Sequence, residues 1–424
     1  MRWVSLASMA LTALLAGCGA AESSSDNGGL GAIWVQTDIA GADIDGDGRA
    51  DIVTVAMLQQ SFGVSDGYLK IYRQTSPGVF TGTQVLVGKY PWRVKIADIN
   101  GDGAPDILVL DVIGGSGAND DVLYLLLQNP NSRGTFQAPR VVATGLSAND
   151  FVVTDANLDL APDIIAAGVS GGGAGAAQYL QNIASRGTFD APTTLGLAGR
   201  VSRLGLGDLG LTGRRDLIAY SIIDTSANAN APGQLVVAYS TLFANVANSS
   251  TFFLTPGTVL TSQVGLQAKA IEAVDVDVDG RTDVVVCFTP ISTAFQAKIS
   301  VVQQRSIGQF TVVDTNISAL KGIDSFVVAD LNGDGRPDVA ATGFYPEGSP
   351  STVKSRVNIL APTQGGIYVP AAAIDMPVAM SVINAVDVDG DGLNDLVLLG
   401  AGNRAYVMFQ SSTVRGTFGA PRQL

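Results

Sequence analysis

Short apolar runs recur along the chain at nearly constant intervals, and a polar segment of nine residues precedes each run. The runs are IVTVAM, ILVLDV, IIAAGV, LIAYSI, VVVCFT, VAATGF and LVLLGA. They are short and partly β-branched, which favours buried strands over helices. Further strand-like stretches follow, among them YLKIYRQ, VLYLLLQ, QLVVAYS, KISVVQQ and RAYVMFQ. The pattern predicts an all-β chain built from one repeated unit.

The polar segments are copies of one motif, D-x-[DN]-x-D-G-x-x-D. Six copies keep most of it, and a further copy, DLGLTGRRD at 208–216, is degenerate. The six lie at residues 43–51, 98–106, 155–163, 275–283, 330–338 and 387–395. Successive first aspartates are 55, 57, 53, 67, 55 and 57 residues apart, so each copy corresponds to one structural unit. The longer fourth interval predicts an insertion near residues 224–265.

A turn that contains glycine and an aromatic residue also recurs in the unit. It reads SRGTFQAP from Ser132, SRGTFDAP from Ser185 and VRGTFGAP from Val414. Each period then holds about four strands, and seven such units fit a seven-bladed β-propeller, in which radial stacking buries each sheet. An open solenoid is the alternative. The chain ends on this turn, which we interpret as the start of a unit elsewhere, and the first unit lacks it. We therefore expect the C-terminal strand to join the first blade and close the ring.

The N-terminus has the features of an export signal and an anchor. Residues 1–17 carry one cation and then an apolar run too short to span a bilayer comfortably, as in a signal peptide. The run ends in Leu-Ala-Gly followed by Cys18, which resembles the lipobox of bacterial lipoproteins and implies lipidation of Cys18. An ordinary secretory signal with a chance cysteine is the alternative. We expect residues 18–32 to be the lipidated cysteine with a flexible tether, and residues 33–424 to be the propeller.

The residue after the cysteine bears on location. It is Gly19 rather than aspartate, which resembles the outer-membrane sorting pattern of Gram-negative lipoproteins. Several acyl chains on one residue hold a protein firmly on a membrane. We therefore expect a cell-envelope protein on the periplasmic or surface face of the outer membrane, with the membrane contacted through the anchor only.

Composition narrows the function classes further. The net charge is −13, with 38 acidic against 25 basic residues, which disfavours nucleic acid as a partner. Of the acidic residues, 23 lie in the seven polar segments, where cations would cancel much of their charge. The chain has no histidine, which removes the commonest general base and imidazole zinc sites. Cys287 lies in an apolar run and is predicted to be a small buried hydrophobe.

The repeated loop, its flanking strands and the period together resemble the FG-GAP and VCBS repeats of integrin-α-like propellers. The resemblance covers roughly residues 33–424. It implies a calcium-binding β-propeller. It does not imply one function, because such repeats occur in adhesins, lectin-like proteins and enzyme accessory domains.

The motif suits calcium, a hard cation that takes six to eight oxygen ligands in flexible geometry. Side-chain oxygens at positions 1, 3 and 5 converge on one point, glycine at position 6 turns the backbone, and the aspartate at position 9 closes the site. An EF-hand begins alike but needs glutamate at position 12, where three copies have Thr54, Val109 and Leu398. Simple acidic turns are the alternative, although carboxylates so crowded would repel without a cation.

By resemblance to integrin-type loops, each good copy supplies four side chains and the carbonyl of position 7. In the first two copies these are Asp43, Asp45, Asp47, Asp51 and the Arg49 carbonyl, then Asp98, Asn100, Asp102, Asp106 and the Ala104 carbonyl. In the fifth and sixth they are Asp275, Asp277, Asp279, Asp283 and the Arg281 carbonyl, then Asp330, Asn332, Asp334, Asp338 and the Arg336 carbonyl. In the seventh they are Asp387, Asp389, Asp391, Asp395 and the Leu393 carbonyl.

Two copies depart from the motif. The third offers Asp155, Asn157, Asp159 and Asp163 but has Leu160 in place of the glycine, which leaves its metal binding open. The fourth has Gly210 and Thr212 in place of two ligands and is expected to bind no metal. We therefore expect about five to six calcium ions with a structural role.

Three function classes remain. The first, which we favour, is a non-catalytic binding or adhesion module for a protein or glycan, with the segment near 224–265 as a candidate contact surface. The second is a polysaccharide lyase or hydrolase of propeller type. Against it stand the missing histidine, the commitment of the aspartates to loops, and the lack of a polar cluster outside the repeats. The third is a structural role in outer-membrane assembly.

Overall fold

A computed structural model shows a ring of antiparallel β-sheets. It describes residues 33–59, 65–112, 121–170, 175–182, 187–195, 197, 199–222, 233–243, 251–263, 265–291, 296–317, 320–347, 352–402 and 404–424. The predicted signal peptide and tether, with Cys18, lie outside the described residues. Within these ranges the chain forms no helix that is long and apolar enough to cross a membrane.

The described strands group into seven sheets of four. The first two sheets are β1 (Ile33–Ala42), β2 (Asp51–Gln59), β3 (Ser65–Ser76) and β4 (Val79–Leu86), then β5 (Pro91–Ala97), β6 (Asp106–Asp111), β7 (Val122–Leu126) and β8 (Arg140–Ala143). The third and fourth are β9 (Ser147–Thr154), β10 (Asp163–Val169), β11 (Gly175–Leu180) and β12 (Thr193–Leu195), then β13 (Arg200–Gly207), β14 (Asp216–Ile222), β15 (Gly233–Phe243) and β16 (Thr251–Gln263).

The remaining three sheets have the same order. The fifth is β17 (Leu266–Val274), β18 (Asp283–Pro290), β19 (Lys298–Ser306) and β20 (Gln309–Asn316). The sixth is β21 (Gly322–Ala329), β22 (Asp338–Glu347), β23 (Thr352–Pro362) and β24 (Tyr368–Asp375). The seventh is β25 (Met380–Val386), β26 (Asp395–Gly400), β27 (Arg404–Met408) and β28 (Arg422–Gln423).

The first strands of the sheets form the inside of the ring. They touch in the order β1, β5, β9, β13, β17, β21, β25 and back to β1, so the seven sheets are blades around one axis. This confirms the predicted seven-bladed propeller of four-stranded blades.

The C-terminal strand is placed differently from the prediction. β28 pairs with β27 at the outer edge of the seventh blade, while the first blade is complete with β1 to β4. The reason is the place of the glycine–aromatic turn in the unit. In blades 2, 3 and 7 it joins the third and fourth strands, as the bridge between Gln410 and Phe418 shows, so it does not begin a unit. β28 is therefore the fourth strand of the seventh blade.

Side-chain packing closes the ring between the first and last blades. Ile39 and Ile52 of the first blade share a core cluster with Val388, Val397 and Leu399 of the seventh. All five are at most 4% exposed. Burial of aliphatic side chains on this scale is the main favourable term in folding.

The second strand of each blade is buried on both faces, because a neighbouring blade covers each side. β6 and β26 are buried at every residue, whereas the outer strand β20 has no buried residue. This explains why the apolar runs after the motif are continuous rather than alternating. Cys287 lies in such a strand and is fully buried, as predicted.

The predicted insertion near residues 224–265 falls in the outer half of the fourth blade. Its described parts form the hairpin of β15 and β16, which are 11 and 13 residues long. The register of this hairpin shifts twice, at 235/236 and 237/239. The rest of the insertion lies outside the described residues.

Amide side chains at the end of the third strands tie neighbouring blades together. Gln74 Nε2 donates to the Val388 carbonyl, at 2.5 Å, in the loop of the seventh blade. Asn182 Nδ2 donates in the same way to Ile99 O, at 2.7 Å, and Gln304 Nε2 to Leu209 O, at 2.5 Å. In each case the acceptor is the second residue of the preceding blade's loop, so one repeated hydrogen bond helps to hold the ring closed.

The tie at the ring closure can be tested with Gln74→Leu. Gln74 also donates to Ala50 O and accepts from Gly78 N, and it is fully buried. Leucine leaves these backbone groups unpaired, so we expect the free energy of unfolding to fall by about 2 kcal/mol. Denaturant unfolding measures this. Gln84→Leu, at an exposed site on β4, is the control and should change it little. Equal losses in the two variants would contradict the role of the tie.

Candidate metal sites

The seven Asp loops lie on one face of the ring. Each connects the first strand of its blade to the second, and position 9 is the first residue of the second strand. Because all blades run in the same direction from the axis outwards, the loops form a circle on the face at which the first strands end.

The aspartate at position 1 shapes each loop through backbone hydrogen bonds. Its Oδ2 accepts the N–H of position 6 in all seven loops, at 2.7 to 2.9 Å. Glycine at position 6 has a positive φ, for example 86° at Gly48 and 84° at Gly280. Residues other than glycine rarely adopt this backbone conformation, which explains the glycine in the motif.

The aspartate at position 9 fastens the loop to the blade. Its Oδ2 accepts the N–H of position 2 in all seven loops, at 2.9 to 3.1 Å. In five blades its Oδ1 also accepts an N–H from the end of the third strand, as from Gln74 to Asp51 at 2.7 Å. These carboxylates are at most 1% exposed.

Burial raises the pKa of the position-9 carboxyls. The pKa is about 6 for Asp51, Asp106, Asp163, Asp283 and Asp395. For Asp338 it is about 7. Desolvation is the largest cause in each, and a neighbouring loop carboxylate raises the pKa further, while backbone hydrogen bonds lower it. A bound cation would act in the opposite direction and favour the ionised form.

The carboxylates of three loops converge closely enough to hold a metal ion. Oxygens of three aspartates lie within 4.8 Å of one another in each of these loops, and the sets are Asp43, Asp45 and Asp51; Asp275, Asp277 and Asp279; and Asp387, Asp389 and Asp395. Asp45 Oδ1 and Asp277 Oδ1 are buried and have no hydrogen-bond partner among the described residues. A buried acceptor without a donor is costly, so the donor set and these two oxygens fit a metal ion.

In the second, third and sixth loops an asparagine takes position 3. Its Nδ2 donates to the position-5 carboxylate, at 2.9 Å in Asn100–Asp102 and in Asn157–Asp159, and at 3.2 Å in Asn332–Asp334. The amide removes one negative charge from the loop and still offers a carbonyl oxygen. These loops therefore have one carboxylate fewer to neutralise.

Arginines lie over two of the loops with three inner aspartates. Arg49 donates to the Asp47 carboxylate, and Arg281 makes the same contact with Asp279. Arg305 also forms an ion pair with Asp277, at 3.2 Å. A cation bound in these loops would share the position-5 carboxylate with the arginine. The position-7 carbonyl ligands stay predictions.

The third loop keeps the shape of the others without glycine at position 6. Leu160 N donates to Asp155 Oδ2 at 2.9 Å, as the glycines do, although Leu158 and Leu160 have φ values of 60° and 70°. Leucine is strained in this conformation by about 1–2 kcal/mol per residue. Asp155 and Asp163 thus make the same backbone hydrogen bonds as their counterparts in the other loops.

The fourth loop is also folded like the others, despite its two missing ligands. Asp208 accepts the N–H groups of Thr212 and Gly213 at 2.8 Å, and Asp216 accepts that of Gly210 at 2.7 Å. Positions 3 and 5 offer no carboxylate. The loop conformation therefore does not depend on a full set of metal ligands.

Two features of the molecule were not predicted from the sequence. The sequence did contain a signal for the ties between blades, because two of the third-strand runs that form them, YLKIYRQ and KISVVQQ, end in glutamine. A charged cluster at the propeller axis, which contains Arg93, Arg203 and Lys269, had none. The expectation that no polar cluster exists outside the repeats was wrong, because ring closure brings together residues that are distant in the chain.

The raised pKa of the position-9 carboxyls gives a pH prediction for protein stripped of metal with EDTA. From about pH 7.5 to about pH 5 the folded chain takes up protons at aspartates such as Asp51, whose pKa is about 6, while the unfolded chain, with a pKa of 3.8, does not. Protonation then favours the folded state, so the melting temperature should rise as the pH falls. Scanning calorimetry measures it. A melting temperature that falls over this window would contradict the assignment.

A match to a known repeat family agrees with the positions of the loops. The model of the FG-GAP-like repeat family matches residues 43–109 and 275–341, and both segments begin at the first aspartate of a loop. No curated protein matches the chain in sequence. Among solved structures, the chain is similar to rhamnogalacturonan lyase YesW, with 13% identity and a TM-score of 0.48 over 90% of this chain and 72% of that one.

A second solved structure with similarity to the chain is the Dos1 propeller. The identity is 11% and the TM-score 0.48, over 88% of this chain and 78% of that one. The chain is a β-propeller of seven four-stranded blades that contains FG-GAP-like repeats.

Proposed function

We propose that the protein is a calcium-binding, non-catalytic β-propeller of the bacterial cell envelope, anchored by a lipid on Cys18, that binds a protein or glycan partner. The observation that carries the calcium proposal is the pair of buried, unpartnered oxygens of Asp45 and Asp277 within clusters of three carboxylates. The anchor and the partner rest on the sequence. Each part has its own test.

Calcium fits the loops better than a transition metal does. The donors are carboxylate and amide oxygens, which hard cations prefer, and the chain has no histidine. Among the described residues the free cysteine is Cys287, which is fully buried in a strand outside the loops. The first, second, fifth, sixth and seventh loops would each hold one ion, and the third loop would hold a sixth because its backbone has the same shape.

We infer that the calcium ions stabilise the propeller and take no part in a reaction. The position-9 aspartates link each loop to its second and third strands, so an ion held by the loop also restrains the blade. Extracellular calcium modules bind with dissociation constants of about 10⁻⁴ to 10⁻³ M. One site with a constant of about 10⁻⁴ M contributes about 2.7 kcal/mol at about 10 mM calcium.

The direction of β1 bears on where partners would bind. Ile33 lies at the start of β1, and Asp43 follows its end, so the predicted tether joins the propeller on the face opposite the loops. With the lipid on Cys18, the tether would leave the loop face of the propeller free. We infer that protein or glycan partners meet this face, which loops of all seven blades form.

Calcium removal should destabilise the protein strongly. We expect EDTA to lower the melting temperature, and elemental analysis of the calcium-loaded protein to find about five to six calcium ions per chain. Asp277→Ala removes a central ligand and should reduce that number by one. Asp208→Ala, in the fourth loop, is the matched control and should leave it unchanged. An unchanged melting curve with no calcium found would rule the proposal out.

The anchor can be tested by Cys18→Ser. Without the thiol no lipid is attached, so the protein should move from the membrane fraction to the soluble fraction of the envelope. Ser24→Ala, in the same predicted tether, is the control and should stay with the membrane. Soluble wild-type protein, or a membrane-bound Cys18→Ser variant, would exclude the lipid anchor.

A further inference from the structure

Four apolar residues are exposed on the loop face in three consecutive blades. They are Leu158 and Leu160 of the third loop, Leu211 of the fourth and Val278 of the fifth, and they are 51%, 89%, 44% and 56% exposed. The first strands of these blades, β9, β13 and β17, touch in this order, so the three loops are neighbours. The four residues therefore form one apolar arc on the loop face.

The backbone of the apolar arc is strained as well. Among the described residues, these four are the non-glycine residues with a positive φ, at 60°, 70°, 52° and 59°. Glycine adopts this conformation freely, whereas other residues meet steric resistance, which is greatest for a β-branched residue such as Val278. Because about half or more of each residue is exposed, packing in the core offsets little of this strain.

The fold does not require these residues. At position 4, where the arc has Leu158, Leu211 and Val278, the first, second, sixth and seventh loops have glycine. All four glycines also have a positive φ, from 72° to 78°. The backbone conformation is thus shared, and only the apolar side chains are special to the third, fourth and fifth loops. Strain that folding does not need points to a role in binding.

In two of the other loops an arginine of the following blade covers position 4. Arg133 and Arg415 belong to the glycine–aromatic turns of the second and seventh blades. A Cβ atom at Gly46 would lie 2.9 Å from Arg133 Cδ, and one at Gly333 would lie 2.9 Å from Arg415 Cδ. The fourth, fifth and sixth blades lack the arginine–glycine pair of this turn in their sequence. The apolar arc therefore coincides with the loops for which the sequence supplies no such cover.

The fourth loop, at the centre of the apolar arc, adds positive charge. Arg214 and Arg215 take positions 7 and 8, Arg215 is exposed, and neither forms an ion pair with a described residue. The two acids of the loop are held by its backbone, because Asp208 accepts two N–H groups of the loop and Asp216 is 1% exposed. The centre of the arc thus offers guanidinium groups beside an exposed leucine.

This combination suits a protein segment better than other ligands. A glycan offers mostly hydroxyl groups, which gain nothing from contact with aliphatic side chains. A second copy that met the arc with its own arc would bring the arginines of both fourth loops together, and these would repel. An anionic membrane surface would also meet the carboxylates of the third and fifth loops, whereas a protein segment can place its acids at the fourth loop alone.

We propose that the apolar arc docks a segment of a partner protein in which apolar side chains stand next to carboxylates. The apolar groups would cover Leu158, Leu211 and Val278, and the carboxylates would pair with Arg214 and Arg215. The inference rests on the proposed binding of partners at the loop face, for which it names the place and the class of partner. It does not depend on the lipid anchor.

Random peptides displayed on phage are the probe for the first test. Selection against purified, calcium-saturated protein should enrich sequences that combine aliphatic or aromatic residues with Asp or Glu. A synthetic copy of the most enriched peptide should bind with one molecule per chain in isothermal titration calorimetry. Replacing its acids by the corresponding amides should weaken binding roughly tenfold or more. No enriched sequence, or enrichment of basic sequences, would overturn the proposal.

The second test places the binding on the arc with variants that favour the loop backbone. Leu158→Gly and Leu211→Gly relieve the strain, so they should melt no lower than wild type, yet bind the selected peptide roughly tenfold more weakly. Leu86→Gly, 60% exposed on β4, is the matched control and should bind like wild type. Arg215→Gln should weaken binding, and Arg422→Gln, on β28, should not. Unchanged binding in both arc variants would overturn the assignment.

The other occupants of the arc give different results. Wild-type protein is mixed with phosphatidylglycerol vesicles, and its mass is measured by sedimentation. Vesicle binding, or a dimer, that is lost in Leu211→Gly would assign the arc to a membrane or to a second copy and so overturn the inference. A peptide or glycan that binds wild type and the arc variants equally would overturn the inference too, but would leave the proposed function in place.

Discussion

A buried carboxylate at the start of every second strand connects three parts of each blade. One oxygen accepts an N–H from the Asp loop, and in five blades the other accepts an N–H from the end of the third strand, as in the contacts of Asp51 with Ile44 and Gln74. In the first, third and fifth blades, the residue that donates this second bond also carries the side-chain amide that reaches the preceding blade. One carboxylate thus couples the loop, the blade and the ring.

Because of these hydrogen bonds, the conformation of the loop does not depend on a bound metal ion. The fourth loop lacks two ligands and the third lacks glycine, yet both keep the hydrogen bonds of position 1 and position 9. Backbone hydrogen bonds therefore set the loop conformation, and the side chains at positions 3 and 5 decide whether it can hold a cation. The carboxylates at position 9 are buried, and desolvation raises their pKa. A bound metal ion would balance their negative charge.

The sequence predicted the features that repeat and missed those that depend on the ring. Seven blades, four strands each and the loop position all followed from the period, because a constant spacing requires a constant unit. The period does not show where a unit begins, so the turn at Val414 was read as the start of a blade when it joins the last two strands of one. The cluster of Asp38, Arg93, Asp150 and Arg203 is invisible to a repeat analysis, because these residues are about one period apart and differ in charge.

Residues that depart from the repeat therefore distinguish one blade from another, which the repeated residues cannot do. Seven similar loops cannot distinguish one position on the ring from another. Residues that differ between blades can select a partner at one position. At position 4 of the third, fourth and fifth loops, Leu158, Leu211 and Val278 replace glycine at φ values of 60°, 52° and 59°, and they are 51%, 44% and 56% exposed. Such strain persists only where the surroundings enforce it. The same three blades contain the degenerate fourth loop and the third loop without glycine at position 6, so departures from the repeat are concentrated in this part of the ring.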